Sequence, residues 1–228
     1  MLLGSAFITV MSVPYFDFET LPAFVIEKLP LRFEALWVAA LRIHVAAAAL
    51  SFPLCLVLMT RALQRRARIH RWLGRIAGAL VLAALLPSGV VLSFDAKGGL
   101  VVTLGFLLSA AIVGAAMIAG VRAARRRDFP VHARAMRHVL GQMSVAVVSR
   151  ALIVGLDAAS IDPHTAYVTA LWLPVLTSVA IVEWQARRSL VSRRNRTQLN
   201  ERLDREESAL GLVVRVRALF RPVAGHGR

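Results

Sequence analysis

Hydrophobic residues along this chain are gathered into long blocks, which polar and charged stretches separate. Five of the blocks are long enough to cross a bilayer, for which an α-helix needs about 20 apolar residues. They cover residues 36–59, 76–93, 100–121, 138–156 and 166–186. The pattern predicts an all-α fold, a polytopic integral membrane bundle of five transmembrane helices.

The chain opens with a further apolar stretch, residues 1–13, which is shorter than a spanning helix. It predicts a partial or interfacial helix, and the bundle has six spans if this stretch inserts. A segment rich in proline and acidic residues follows it and predicts a non-cytoplasmic loop. The chain therefore divides into an N-terminal region 1–35, a helical bundle 36–186 and a basic tail 187–228.

Composition agrees with this division and excludes an ordinary soluble domain. Hydrophobic residues make up 57% of the chain and the mean hydropathy is +0.64, whereas soluble domains contain about 45–50% apolar residues. The single cysteine, Cys55, lies within an apolar block, so no intrachain disulfide or thiolate metal cluster is expected.

The formal net charge of +15 comes mainly from arginine, and the arginines form three clusters. These clusters follow the first, third and fifth apolar blocks. The positive-inside rule therefore predicts that these loops and the C-terminal tail lie in the cytoplasm. The same placement argues against a nucleic-acid partner, and the tail is expected to contact anionic lipids of the bilayer.

Two similar sequences stand where an arginine-rich loop turns into an apolar block. One reads His70-Arg71-Trp72-Leu73-Gly74-Arg75 and the other His132-Ala133-Arg134-Ala135-Met136-Arg137; we call them the two His/Arg junctions. Imidazole is a ligand of haem iron, and arginine pairs with propionates or phosphates. The junctions predict a site for a haem, a quinone head group, an anionic metabolite or a lipid phosphate. The alternative is that these residues only contact loop carbonyls and lipid head groups at the interface.

Several residues near the junctions and within the spans are candidate site residues. Ionisable groups inside a bilayer are costly and therefore indicate function. We predict that His44 and Arg150 lie at one depth and form an outer polar contact. For the inner site, the candidate metal ligands are His70, His132 and His138, and the candidate charged partners are Arg71, Arg75, Arg137 and Glu183.

The order of these residues resembles a known family. A first span contains His44, the second and fourth open with the His/Arg junctions, and the last carries Trp172 and ends in Glu183-Trp184. This arrangement is similar to the bacterial predicted membrane protein family known as domain of unknown function 2306, over residues 36–184. The resemblance implies a small helical bundle in the inner membrane and implies no activity.

Two functional hypotheses follow from these residues. The first is a membrane redox or cofactor-binding module that holds b-type haem or quinone at the cytoplasmic-side His/Arg site, with a quinone or redox protein as partner. The second is a non-catalytic transporter, lipid-binding protein or membrane assembly factor. The chain has no nucleophile elbow, phosphate-binding loop or metalloprotease helix, so hydrolysis and phosphoryl transfer are unsupported. Whether the protein is an enzyme, and its oligomeric state, stay open at this stage.

Overall fold

The computed structural model describes Phe16, Ile26, Leu31 and residues 33–219, with side chains up to Ser189 and at residues 191, 192, 198 and 200. Within this part, five helices are long and apolar enough to cross a membrane. We call them the first to fifth spans: Glu34–Leu58, Ala67–Ser93, Gly99–Arg125, Phe129–Ala158 and Pro163–Ser189. The predicted five-helix bundle is thereby confirmed. The predicted helix at residues 1–13 lies outside the described residues.

Two of the helices begin nine residues before the apolar blocks that predict them. The second span starts at Ala67 and the fourth at Phe129, although their apolar blocks start at residues 76 and 138. Helical hydrogen bonding does not stop where the apolar residues stop, and the Asp128 carboxylate extends the fourth span by accepting from the Val131 amide at 3.2 Å. As a result, both His/Arg junctions are helical and lie in the first turns of their spans.

The second span is not a regular α-helix throughout. Its residues Ala67–Ala79 are α-helical, Leu80–Leu85 form a π-helical segment, and Leu86–Ser93 return to α-helix. Pro87 lies just after the wide segment, where its ring would crowd the carbonyl four residues earlier in a regular helix. The regular α-helix is thus interrupted just before Pro87.

The spans pack against one another through small apolar clusters and through the hydrogen bonds of the buried Gln142 side chain. Second, third and fourth spans share a core that includes Val81, Val113 and Val139, and Leu171 of the fifth joins another core with residues of the third and fourth. Gly105 permits this approach, because a Cβ there would lie 2.7 Å from the Leu171 Cδ2 atom. Small residues thus let neighbouring backbones come close.

At the opposite end from the His/Arg junctions, the fourth and fifth spans are joined by a short turn. The Asp162 carboxylate accepts hydrogen bonds from the Thr165 amide at 2.9 Å and the Thr165 hydroxyl at 3.1 Å. These bonds stabilise the charged form and lower the pKa of Asp162. The residue therefore caps the fifth helix in its ionised state.

The chain divides into two compact units, Met1–Val182 and Glu183–Arg228. The helix that forms the fifth span continues to Leu219 and belongs to both. In the second unit, the Arg188 guanidinium lies 3.7 Å from the centre of the Trp184 ring, a cation–π contact. The site described below lies within the first unit.

One buried hydroxyl in the first span provides a test of this packing. Ser51 is fully buried, and its Oγ has no hydrogen-bond partner among the described residues. Ser51→Ala is expected to raise the free energy of unfolding by roughly 0.5–1 kcal/mol, because it removes an unpaired buried polar group. Ser93→Ala is the matched control, since the buried Ser93 hydroxyl donates to the Val90 carbonyl at 2.7 Å. Unfolding of the purified variants in mixed micelles measures both; an equal response of the two would contradict the prediction.

Candidate functional site

The structure brings His70 of the second span and His132 of the fourth span together. Their ring centres are 6.4 Å apart and the ring planes meet at 83°. The two spans are neighbours, since the buried Ala77 packs with Leu140 and Met143. Each histidine lies in the first turns of its helix, so the contact lies at one end of the bundle. Two residues that are 62 positions apart in the sequence therefore form one pair of imidazoles.

A backbone contact orients the His132 ring. Its Nδ1 lies 2.9 Å from the carbonyl oxygen of Gly120 in the third span. A carbonyl oxygen only accepts, so Nδ1 carries the proton in this contact and Nε2 of the neutral ring is left as an acceptor. This arrangement, in which the second ring nitrogen donates to a carbonyl, is the usual support for a histidine that ligates a metal through Nε2.

The His70 ring has a different environment. Its side chain is half-buried, and its Nδ1 is buried without a hydrogen-bond partner among the described residues. Gly74 lies one turn further along the same helix face, and a Cβ there would meet no atom within 4 Å. The pair thus has an unpaired ring nitrogen and open space beside it. A buried polar atom without a partner calls for an explanation, such as a bound water or ligand.

Three arginines of the junctions are exposed to the surroundings of the bundle. Arg71, Arg75 and Arg137 are exposed, and the Arg75 guanidinium lies 5.5 Å from the centre of the exposed Trp72 ring. A cation–π contact of this kind is typical of the membrane interface, where both side chains keep one polar end in water. The arginines are therefore available to acidic groups of a ligand or a lipid, and their role as clamps stays a prediction.

His138 does not complete a three-histidine metal site. Among the described residues, no group of three His, Cys, Asp or Glu side chains is placed to hold a metal ion. His138 follows His132 by six positions, which rotates it about 120° away on the helix surface. His70 and His132 can therefore contact one shared ligand. The half-buried His138 faces another direction, and its role as a ligand stays a prediction.

The expected contact between His44 and Arg150 is not formed, which corrects the sequence prediction. Arg150 is exposed and donates to the Ala146 carbonyl of its own helix at 2.8 Å. His44 packs on the second span, where its Nδ1 lies 3.2 Å from the Leu85 carbonyl oxygen. Similar depth was the basis of the prediction, but contact also depends on which way each helix face points.

Glu183 is half-buried and begins the second unit. Its predicted role as partner of a junction arginine stays a prediction.

The structure also identifies polar residues that the sequence analysis did not select. Gln142 is buried in the fourth span and bonds residues of the third and fifth spans. Ser88 of the second span lies beside His44. Gly120 supplies the carbonyl that orients His132. An amide within an apolar block is a signal in the sequence that marks Gln142, whereas no local signal marks a backbone carbonyl.

Comparison with known proteins agrees with this architecture. The model of the predicted membrane protein family DUF2306, domain of unknown function 2306, matches residues 41–185. This range contains both His/Arg junctions and almost all of the five spans. No curated protein and no solved structure shows a significant match to the chain. The chain belongs to the DUF2306 family and is a membrane protein.

Proposed function

We propose that this DUF2306 membrane protein is a redox module that binds a b-type haem through His70 and His132. The observation that carries the proposal is the 6.4 Å separation of the two ring centres. At this separation the two imidazoles could hold one group between them, and neutral imidazole is a ligand of haem iron.

The surroundings of the pair support the same proposal. The bond from His132 Nδ1 to the Gly120 carbonyl leaves Nε2 as the acceptor, as a ligand requires. A Cβ at Gly74, one turn from His70, would meet no atom within 4 Å, so no side chain fills this position. The exposed Arg71, Arg75 and Arg137 would pair with propionates. When bound, haem supplies one-electron chemistry; the histidines hold and orient it, and the apolar spans keep bulk water away.

Haem fits these residues better than a quinone does. A quinone carbonyl needs a hydrogen-bond donor, and since the Nδ1 hydrogen of His132 bonds to Gly120, that donor would have to come from His70 or an arginine. A haem iron would instead be held by imidazole nitrogens and so would use both histidines. Iron coordination therefore accounts for both histidines with one ligand.

The visible absorption spectrum of the purified protein tests the proposal. Protein from cells supplied with a haem precursor is expected to show a Soret band that sharpens and shifts on reduction with dithionite, near one haem per chain. The band should be that of a six-coordinate b-type haem with two histidine ligands. A colourless preparation under these conditions, which also fails to bind added haemin, would overturn the proposal.

Substitutions of the two histidines form the second prediction. His70→Ala and His132→Asn are each expected to lower the haem content at least about tenfold, since even outer-shell partners change the affinity of a metal site by about 10–100-fold. Asparagine at position 132 retains a donor for the Gly120 carbonyl, which separates loss of a ligand from loss of that hydrogen bond. Added imidazole should partly restore the spectrum of His70→Gly.

His164→Ala is the control for these variants. His164 is exposed at the start of the fifth helix, at the other end of the bundle. Its replacement should leave haem content and spectrum unchanged. If His164→Ala lowers the haem content as much as His70→Ala, histidine ligation by the junctions is wrong.

A further inference from the structure

His44 is a half-buried imidazole that the proposed haem site does not use. It lies ten residues after the start of the first span at Glu34, which is roughly 15 Å along the helix and near the middle of a hydrocarbon core about 30 Å thick. Its ring rests on the second span at Gly89, where a Cβ would lie 3.1 Å from the His44 Cε1 atom. The absence of a side chain at Gly89 therefore permits this close approach.

The partners of Nδ1 determine which nitrogen carries the proton. Nδ1 lies 3.2 Å from the Leu85 carbonyl oxygen and 3.3 Å from the Ser88 Oγ. The Ser88 hydroxyl donates to the Ala84 carbonyl at 2.6 Å, so its hydrogen is already used. A carbonyl oxygen only accepts, so in the contact with Leu85 the neutral ring carries its proton on Nδ1. Nε2 is then a bare acceptor.

This Nε2 has no hydrogen-bond partner among the described residues. The His44 side chain is half-buried, and its Nε2 is not among the buried side-chain atoms without a partner, so this nitrogen keeps some accessible surface. Because His44 lies near the middle of the bilayer, a molecule that reaches Nε2 must be dissolved in the bilayer. It must also donate a hydrogen bond, because Nε2 only accepts.

We propose that His44 is a second site, at which Nε2 accepts a hydrogen bond from the hydroxyl group of a membrane-dissolved molecule. The π-helical segment Leu80–Leu85 ends at the carbonyl that holds Nδ1, and such segments are frequent at functional sites. Two kinds of bilayer molecule carry a suitable hydroxyl, a quinol and a hydroxylated lipid such as diacylglycerol. The quinol is the expected source, and this choice alone rests on the proposed redox function.

Nitrogen-15 NMR of histidine-labelled protein in lipid nanodiscs tests the site. The Nε2 resonance of His44, assigned from the spectrum of His44→Phe, is followed during titration under argon. The probes are decylubiquinol, decylubiquinone and dioctanoylglycerol. Decylubiquinol is expected to move the resonance upfield with saturation, and decylubiquinone is not, because it has no hydroxyl hydrogen. In His44→Phe the affinity for decylubiquinol should fall about tenfold, the value of one lost hydrogen bond.

Each outcome decides a separate part of the proposal. A resonance that moves with dioctanoylglycerol and not with decylubiquinol supports the hydroxyl site and overturns the quinol as its ligand. A resonance that moves with neither, or with decylubiquinone equally, overturns the site. His164→Gln is the matched control and should retain the full response. Since the NMR signal does not require haem, a colourless protein that still responds would refute the haem proposal and leave the His44 site intact.

Discussion

Replacement of Gln142 by alanine is expected to lower the free energy of unfolding by about 3 kcal/mol. The Gln142 side chain is almost fully buried and makes three interhelical contacts. Its Oε1 accepts from the Ser109 hydroxyl at 2.8 Å, and its Nε2 donates to the Val175 carbonyl at 3.0 Å and to the Ser178 Oγ at 2.9 Å. The substitution removes these bonds and leaves a cavity where the third, fourth and fifth spans meet.

Two further variants separate the cavity from the hydrogen bonds. Gln142→Leu keeps most of the volume and should cost only about 1–2 kcal/mol, since hydrogen bonds between membrane helices contribute about 0.6 kcal/mol each. Thr177→Val is the control, because the exposed Thr177 hydroxyl bonds only to carbonyls of its own helix. Reversible unfolding in mixed micelles measures all three. If Gln142→Leu costs as much stability as Gln142→Ala, the lost volume does not contribute to the effect. If neither variant differs from Thr177→Val, the hydrogen bonds of Gln142 have no role in stability.

Gly120→Val is expected to lower the free energy of unfolding by about 3 kcal/mol and to displace His132. A Cβ at Gly120 would collide with the Met136 methyl group and lie 3.2 Å from the Ala135 Cβ. Met136 can move, but the Ala135 Cβ is attached directly to the backbone, so the third and fourth spans must separate. The Gly120 carbonyl that orients His132 would move with them. Haem content should therefore fall together with stability.

Gly155→Val is the matched control for this variant. Gly155 lies in the fourth span, and a Cβ there would meet nothing within 4 Å. Its free energy of unfolding should change by less than about 1 kcal/mol, with unchanged haem content. Unfolding in mixed micelles and the pyridine haemochrome assay measure the two quantities. A Gly120→Val protein as stable as Gly155→Val would show that the third and fourth spans are not closely packed at this point.

If the two proposals hold, the protein has two sites at different depths in its bundle. The His70 and His132 pair lies where the second and fourth spans begin, and His44 lies near the middle of the first span. A redox module with this arrangement would take a hydroxyl-bearing molecule from the bilayer and a haem near the arginine-rich loops. The separate experiments on haem and on His44 Nε2 decide the two sites independently.

The sequence by itself determined the number, the order and the approximate limits of the five spans. Transfer of apolar side chains from water to lipid depends on local composition, so an uninterrupted apolar block such as residues 100–121 is enough to predict the third span. It also singled out His70 and His132, because a histidine beside two arginines at the start of an apolar block can be seen without any partner. The π-helical segment cannot be predicted in the same way, because Pro87 indicates only that a regular helix is disturbed near it.

Only the tertiary structure decided which of these side chains meet. It placed His70 beside His132, turned Arg150 back onto its own helix and left His44 on the second span. Depth along a helix follows from counting residues, but the direction in which a side chain points depends on how each helix is rotated against its neighbours. That rotation is set by close packing at Gly105 and Gly120 and by backbone carbonyls such as that of Gly120. Neither can be recognised from the local sequence, because the contact that a glycine or a carbonyl makes depends on the helix that packs against it.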